Sequence, residues 1–173
     1  MAKQRTVLVT GGSRGIGASI AKHFAEQGDR IAVHYSSNGD LAKEVMASLP
    51  GSGHMTAQAD LRDADAIKVM VDSVANEFGH IDILINNAGV FFDHPIESST
   101  YEVWQKAWAD TLGVNLTGAA NVTWCALQHM PRHGDSRIVN VGSRGAFRGE
   151  PVSPAYGASK AAIVAFGQSI AKA

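Results

Sequence analysis

A chain of 173 residues, 45% hydrophobic and 18% charged, is long enough for one domain with a real core. Lys+Arg number 15 and Asp+Glu 16, a formal net charge of -1 with no run of like charges, which argues against a nucleic-acid surface. Cys125 is the only cysteine, so an internal disulfide or a cysteine metal cluster is excluded, and no stretch reaches the roughly 18 apolar residues of a membrane span. The apolar run near the start is too short for a signal-peptide core. The expectation is a soluble, cytoplasmic protein without membrane or nucleic-acid partners.

The first predicted element is a strand over 6–10, TVLVT, a near-continuous apolar run of the kind carried by parallel strands covered on both faces. Gly11, Gly15 and Gly17 follow in the spacing G-x-x-x-G-x-G, and a helical pattern runs over 15–28. Glycine allows a tight turn and a close backbone approach. A helix start offers free N–H groups and the positive end of its dipole to a pyrophosphate. The spacing is not the G-x-G-x-x-G of many dinucleotide folds, and a plain strand–helix turn is the other reading. The second strand, 30–35, leads into Tyr35, Ser36, Ser37 and Asn38, with no carboxylate to bind ribose hydroxyls. With Arg14 in the glycine loop as a phosphate partner, this predicts NADP(H) in preference to NAD(H), provided Asp40 points away. The alternative for Arg14 is a solvated loop arginine.

Further along, a helix over 39–49, a strand over 54–60, a helix over 63–79 and a strand over 81–87 alternate. A loop over 89–100 precedes a helical stretch over 101–132, then a strand over 136–142 and a helix over 156–171. Gly28, Pro50-Gly51, Gly79 and Gly134 sit where helices stop. Repeated βαβ units predict a single α/β domain, a Rossmann-type doubly wound parallel sheet, over 1–173. The fourth and fifth strands are also apolar runs that predict cover on both faces. Asp60 ends the third strand, and one reading makes it the N-cap of the 63–79 helix. His34, His94, His129 and His133 show no metal spacing with carboxylates, so no catalytic metal is expected.

The stretch PVSPAYGASKAAIVAFG, 151–167, sets Tyr156 and Lys160 four positions apart with only small residues between. Such a pair shares one helix face. A tyrosine has a reference pKa near 10, so acid/base work near neutral pH needs a depressed value, which a neighbouring ammonium favours. Ser143 follows a strand at its carboxyl end, where ligands of open α/β sheets gather. A strand-ending turn serine is the bland alternative. Asn115 lies in a helical stretch flanked by Gly113 and Gly118, which predicts a local helix distortion.

TGGSRGIG (10–17), NNAG (86–89), Asn115 in GVNLTG, Ser143 in IVNVGS and YGASK (156–160) together resemble the short-chain dehydrogenase/reductases, most closely their 3-oxoacyl-ACP-reductase-like branch. The resemblance covers essentially the whole chain. It implies hydride transfer between NADP(H) and a ketone or secondary alcohol, with 3-oxoacyl thioesters one candidate substrate. It implies Tyr156 as proton donor, Lys160 holding the nicotinamide ribose, Ser143 on the substrate oxygen, and Asn115 holding a water in a proton relay. It implies cofactor contacts from Gly11, Ser13, Arg14, Gly15, Ile16, Gly17, Ser36, Ser37, Asn38, Asp60, Leu61, Asn87, Ala88, Gly89, Tyr156 and Lys160. Asp60 would meet the adenine amino group, and Asn87 would steady the sheet near the ribose. A homodimer or homotetramer is also implied; Trp104, Trp108 and Trp124 lie in the stretch that relatives often pack against a partner. Family members normally continue past the 156–171 helix with two strands and a substrate lid, so the expectation is a domain lacking those parts. The competing reading is a non-catalytic nucleotide-binding or regulatory module. An epimerase or dehydratase is disfavoured by the glycine spacing. Phe91, Phe92 and Phe147 predict apolar contact with the substrate.

Overall fold

The computed structural model describes residues 4–132 and 136–172. Five parallel strands form one sheet: β1 Thr6–Val9, β2 Arg30–Tyr35, β3 Met55–Gln58, β4 Ile83–Asn86 and β5 Arg137–Asn140, in the order β3-β2-β1-β4-β5. The chain therefore winds outward from β1 first one way and then the other, which gives the expected doubly wound sheet. Its topological switch lies between β1 and β4, the crevice where ligands of such sheets bind.

Strand alternation divides the core in two. Leu8, Ala32 and Leu84 face one side, against Ile67, Met70, Val71 and Val74 of α3 (Ala64–Phe78) and Val122 and Ala126 of α5 (Ala119–Leu127). Val7, Val9, Ile31, Val33, Ile83 and Ile85 face the other, against Ala21 and Ala25 of α1 (Gly15–Glu26) and Ala42 of α2 (Gly39–Ser48). Cover on both faces explains why β1 and β4 read as continuous apolar runs. β5 departs from that expectation. It is the edge of the sheet, and Val139 is 45% exposed.

Helix ends follow local chemistry. Asp63, not Asp60, caps α3, accepting N–H bonds from Asp65 and Ala66, because Asp60 is engaged elsewhere. Gly79 ends α3 at φ 85, a left-handed stop that favours glycine. The helix expected over 101–132 is three pieces: α4 (Tyr101–Leu112), a π-helical segment (Gly113–Gly118) and α5. The distortion falls between the two glycines, as predicted. The helix ends at Leu127, ahead of Pro131, which disfavours helical backbone in the residue before it. A short helix α6 (Gly145–Arg148) appears within a stretch that carries no periodic signal. The last helix, α7 (Pro154–Ile170), starts at Pro154, whose fixed φ suits a first helical turn. Gly134 and His133 lie outside the described residues. Among the described residues no helix is long and apolar enough to cross a membrane.

Candidate functional site

A cleft of about 670 Å³ opens at the carboxyl ends of the strands. Gly11, Ser13, Arg14, Gly15, Ile16, Gly17, Ser36, Ser37, Asn38, Asp60, Leu61, Asn87, Ala88 and Gly89 all line it. The glycine loop is held close to the end of β4. A Cβ on Gly11 would stand 2.9 Å from Ala88 Cα, and one on Gly17 2.2 Å from the Gly11 carbonyl. Gly11 and Gly15 also take positive φ, 62 and 54.

α1 begins at this loop with no side-chain cap and no acidic residue in its first turn. α2, α3 and α4 are capped by Asn38, Asp63 and Thr100. The first N–H groups of α1 are thus left for a ligand, and an anion suits them. Arg14 stands exposed at that start, its guanidinium without a partner among the described residues. Asp40 turns outward, 92% exposed and 3.7 Å from Lys43. The cleft therefore offers an anion the uncapped start of α1 and the Arg14 guanidinium, with Asp40 turned away. These residues fit the phosphates of a nicotinamide dinucleotide.

Thr10, the first residue of TGGSRGIG, and His34, which belongs to no motif, shape this loop. Thr10 Oγ1 accepts N–H bonds from Asn87 (2.9 Å) and Ala88 (3.0 Å). Asn87 in turn donates to the carbonyls of Thr10 (2.8 Å) and Gly11 (3.2 Å). His34, wholly buried in β2, accepts the Gly11 N–H at Nδ1 (3.0 Å) and donates from Nε2 to the Ala59 carbonyl (3.1 Å). Both assignments follow because a backbone N–H only donates and a carbonyl only accepts. Read for metal spacing, His34 yields nothing; its role here is to hold the first glycine of the loop.

Burial lowers the His34 pKa from 6.5 to about 4. The unfolded chain therefore binds this proton below about pH 6.5 and the folded one only below about 4. His34's contribution is complete above the upper value and is lost as pH falls through the window. Stability should drop by about 1.4 kcal/mol per pH unit there, about 3 kcal/mol in all. Urea titrations across this range should show the slope in the wild type and a flatter one in His34→Gln; equal slopes would contradict the account.

At one end of the cleft, Asp60 is clasped by Arg62. The guanidinium reaches its carboxylate at 2.6 Å and also reaches Asp110 of α4 at 3.1 Å, while Lys106 meets Asp110 at 2.7 Å. The Arg62 hydrogen bond holds the Asp60 carboxyl below its usual range. Arg62, Asp110 and Val114 line the cleft beside Asp60 and Leu61. Arg62 and Asp110 lie outside the motifs quoted above, Val114 lies within GVNLTG, and the fold brings α4 to this loop.

The Tyr156–Lys160 group adjoins the other end, beyond Gly89. A Cβ on Gly89 would lie 3.4 Å from Asn115 Oδ1 and 3.7 Å from Lys160 Nζ. Tyr156 is half-buried, its ring 4.9 Å from that of Phe91. Lys160 is 5% exposed; its ammonium donates to the Val141 carbonyl at 2.8 Å and lies 5.7 Å from the Tyr156 ring centroid. Desolvation lowers the Lys160 pKa. Ser143 sits in the turn after β5, its hydroxyl accepting the Gly145 N–H at 3.1 Å.

Asn115 is buried in the π segment, 2% exposed. Its side-chain carbonyl accepts the Val90 N–H (2.8 Å), and its amide donates to the Val90 carbonyl (3.0 Å) and to Ser159 Oγ (3.1 Å). The side chain is a clamp on the loop after β4. Among the described residues no cluster of three or more His, Cys, Asp or Glu could hold a metal ion.

A doubly wound sheet thus carries a glycine-lined cleft at the carboxyl ends of its strands, adjoined by a tyrosine–lysine pair. Comparison with known proteins gives the family. The model of the family described as short chain dehydrogenase matches residues 5–173. The chain is 34% identical over 174 residues to the 3-oxoacyl-[acyl-carrier-protein] reductase FabG of Staphylococcus aureus, covering 99% of this chain and 69% of that one. It is 35% identical over 171 residues to a protein of Rhizobium meliloti named "Probable galactose dehydrogenase GalD", covering 98% and 65%. Among solved structures, a short chain dehydrogenase from Burkholderia cenocepacia in complex with NADP superposes with a TM-score of 0.84 at 36% identity, covering 98% of this chain and 67% of the other. The protein belongs to the short-chain dehydrogenase family and is an NAD(P)-dependent oxidoreductase acting on CH–OH/C=O groups.

Proposed function

We propose that the protein is an NADP(H)-dependent ketone reductase in which Tyr156 is the general acid/base. The observation that carries this reading is the junction at Gly89, where the cofactor cleft meets Lys160 and Asn115. NADPH, when bound, supplies the hydride. The unclaimed N–H groups of α1 and the Arg14 guanidinium hold its phosphates, and Ser36, Ser37 and Asn38 border the 2′-phosphate. Lys160 binds the nicotinamide ribose. Ser143 donates a hydrogen bond to the substrate oxygen. As the carbonyl carbon gains hydride, the C=O π pair moves onto oxygen, and Tyr156 delivers its hydroxyl proton there to give a secondary alcohol. Asn115, through Val90 and Ser159, keeps this group in place.

The 3-oxoacyl-thioester substrate class is supported by the relative in Staphylococcus aureus, and by Phe91 and Phe92, 47% and 41% exposed, which offer apolar contact. The exposed Trp124 and Leu127 of α5 support assembly as a homodimer or homotetramer. The single, buried cysteine suits a reducing, cytoplasmic setting.

The test is loss of NADPH absorbance with a 3-oxoacyl thioester, run beside NADPH formation from NADP⁺ with galactose. The expected result is oxidation of NADPH by the thioester, faster than with NADH. Turnover of galactose alone would reassign the substrate, and binding of NADPH with no turnover of any carbonyl would mark a non-catalytic module.

A further inference from the structure

We infer that His94 is a positioning residue for Tyr156, acting as the N-terminal cap of α7 from a separate loop. The inference rests on the reading of Tyr156 as proton donor. α7 opens Ser153-Pro154-Ala155-Tyr156, and its first turn needs an acceptor for the Ala155 N–H. Ser153 occupies the capping position but makes no side-chain cap bond, and its buried hydroxyl has no partner among the described residues. Pro154 has no N–H to satisfy. The Ala155 N–H is instead accepted by Nε2 of His94 at 3.1 Å, across 61 residues of sequence.

The His94 ring is 0% exposed, and every polar atom is assigned. Nε2 faces a backbone N–H and so is the unprotonated nitrogen. Nδ1 faces the Phe92 carbonyl at 2.7 Å and carries the proton. The backbone N–H of His94 donates to the Val152 carbonyl at 2.8 Å, closing a second link to the segment just before α7. Trp104 of α4 packs edge-on against the ring, centroids 5.5 Å apart. The same loop is held upstream by the Asn115 clamp on Val90, and between these anchors Phe91 packs on the Tyr156 ring. Loop and helix start therefore form one bracket, with the phenol one residue beyond the capped amide.

Glutamine can place a side-chain oxygen where Nε2 stands; leucine cannot. His94→Leu should lower kcat by about 100-fold, the scale of a misplaced acid/base group, with NADPH affinity unchanged. His94→Gln should recover most of that loss. Wild-type kcat in His94→Leu, or equal losses in both variants, would overturn the inference. A second readout needs neither turnover nor a folded leucine variant. In the ¹⁵N-labelled wild type, the His94 ring should give the pattern of a neutral imidazole protonated at Nδ1, and His94→Gln should keep the Ala155 amide slow to exchange. A ring protonated at Nε2, or a fast-exchanging Ala155 amide in the wild type, would refute it. If the wild type reduces no ketone, the functional reading fails while this measurement still decides the bracket.

Discussion

Tyr156→Phe is expected to lower turnover by about 10²–10⁴-fold and to change NADPH affinity by less than about twofold. Phenylalanine keeps the ring, and with it the packing on Phe91 at 4.9 Å, so the loop after β4 has no cause to move. Only the hydroxyl is lost. Lys160 retains its bond to the Val141 carbonyl, which does not involve the phenol, so ribose binding should persist. Tyr156 is not among the residues that line the cleft. The split between kcat and cofactor affinity is thus the diagnostic. Steady-state kinetics and a calorimetric titration on one preparation read both. Unchanged turnover would remove Tyr156 from the mechanism; loss of NADPH binding would make it structural.

The second large effect is expected at Gly17. An added Cβ would lie 2.2 Å from the Gly11 carbonyl oxygen and 2.6 Å from Asn87 Nδ2. Real contacts do not come so close, and one neighbour is backbone, so the glycine loop must shift. That also disturbs the Asn87 bonds to Thr10 and Gly11. Gly17→Ala should weaken NADPH by about 100-fold or more, equivalent to nearly 3 kcal/mol, and cost about 1–3 kcal/mol of stability from overpacking. Gly15→Ala is the control. Gly15 has positive φ but open space around its Cβ position, so its cost is backbone strain of about 1 kcal/mol and no collision. Calorimetry and urea denaturation of the two variants should separate the mechanisms; equal effects would show that contact at Gly17 is not decisive.

The sheet was readable because both of its faces are covered. Runs such as TVLVT and IDILINN have no polar alternation to hide them, and β5 reads the same way although it lies at the edge with Val139 partly exposed. The π segment was readable from Gly113 and Gly118, which weaken regular helix on either side of Asn115. What sequence spacing could not reveal are contacts that join distant segments. His34 and His94 each bridge a backbone N–H and a carbonyl, and such a bridge has no repeat or spacing to betray it. Arg62 and Asp110 are 48 positions apart and meet only because the fold brings α4 beside the loop after β3. α6 is one turn long, too short for helical periodicity to show.

With Tyr156 as proton donor, hydride passes directly from NADPH to the ketone carbon in the proposed reaction. The protein should be mixed with NADPH carrying two deuterium atoms at C4 and a 3-oxoacyl thioester, and the product examined by mass spectrometry. The expected product is a secondary alcohol with one deuterium on the carbinol carbon. An alcohol without deuterium, or NADPH bound beside an unreduced ketone, would contradict it.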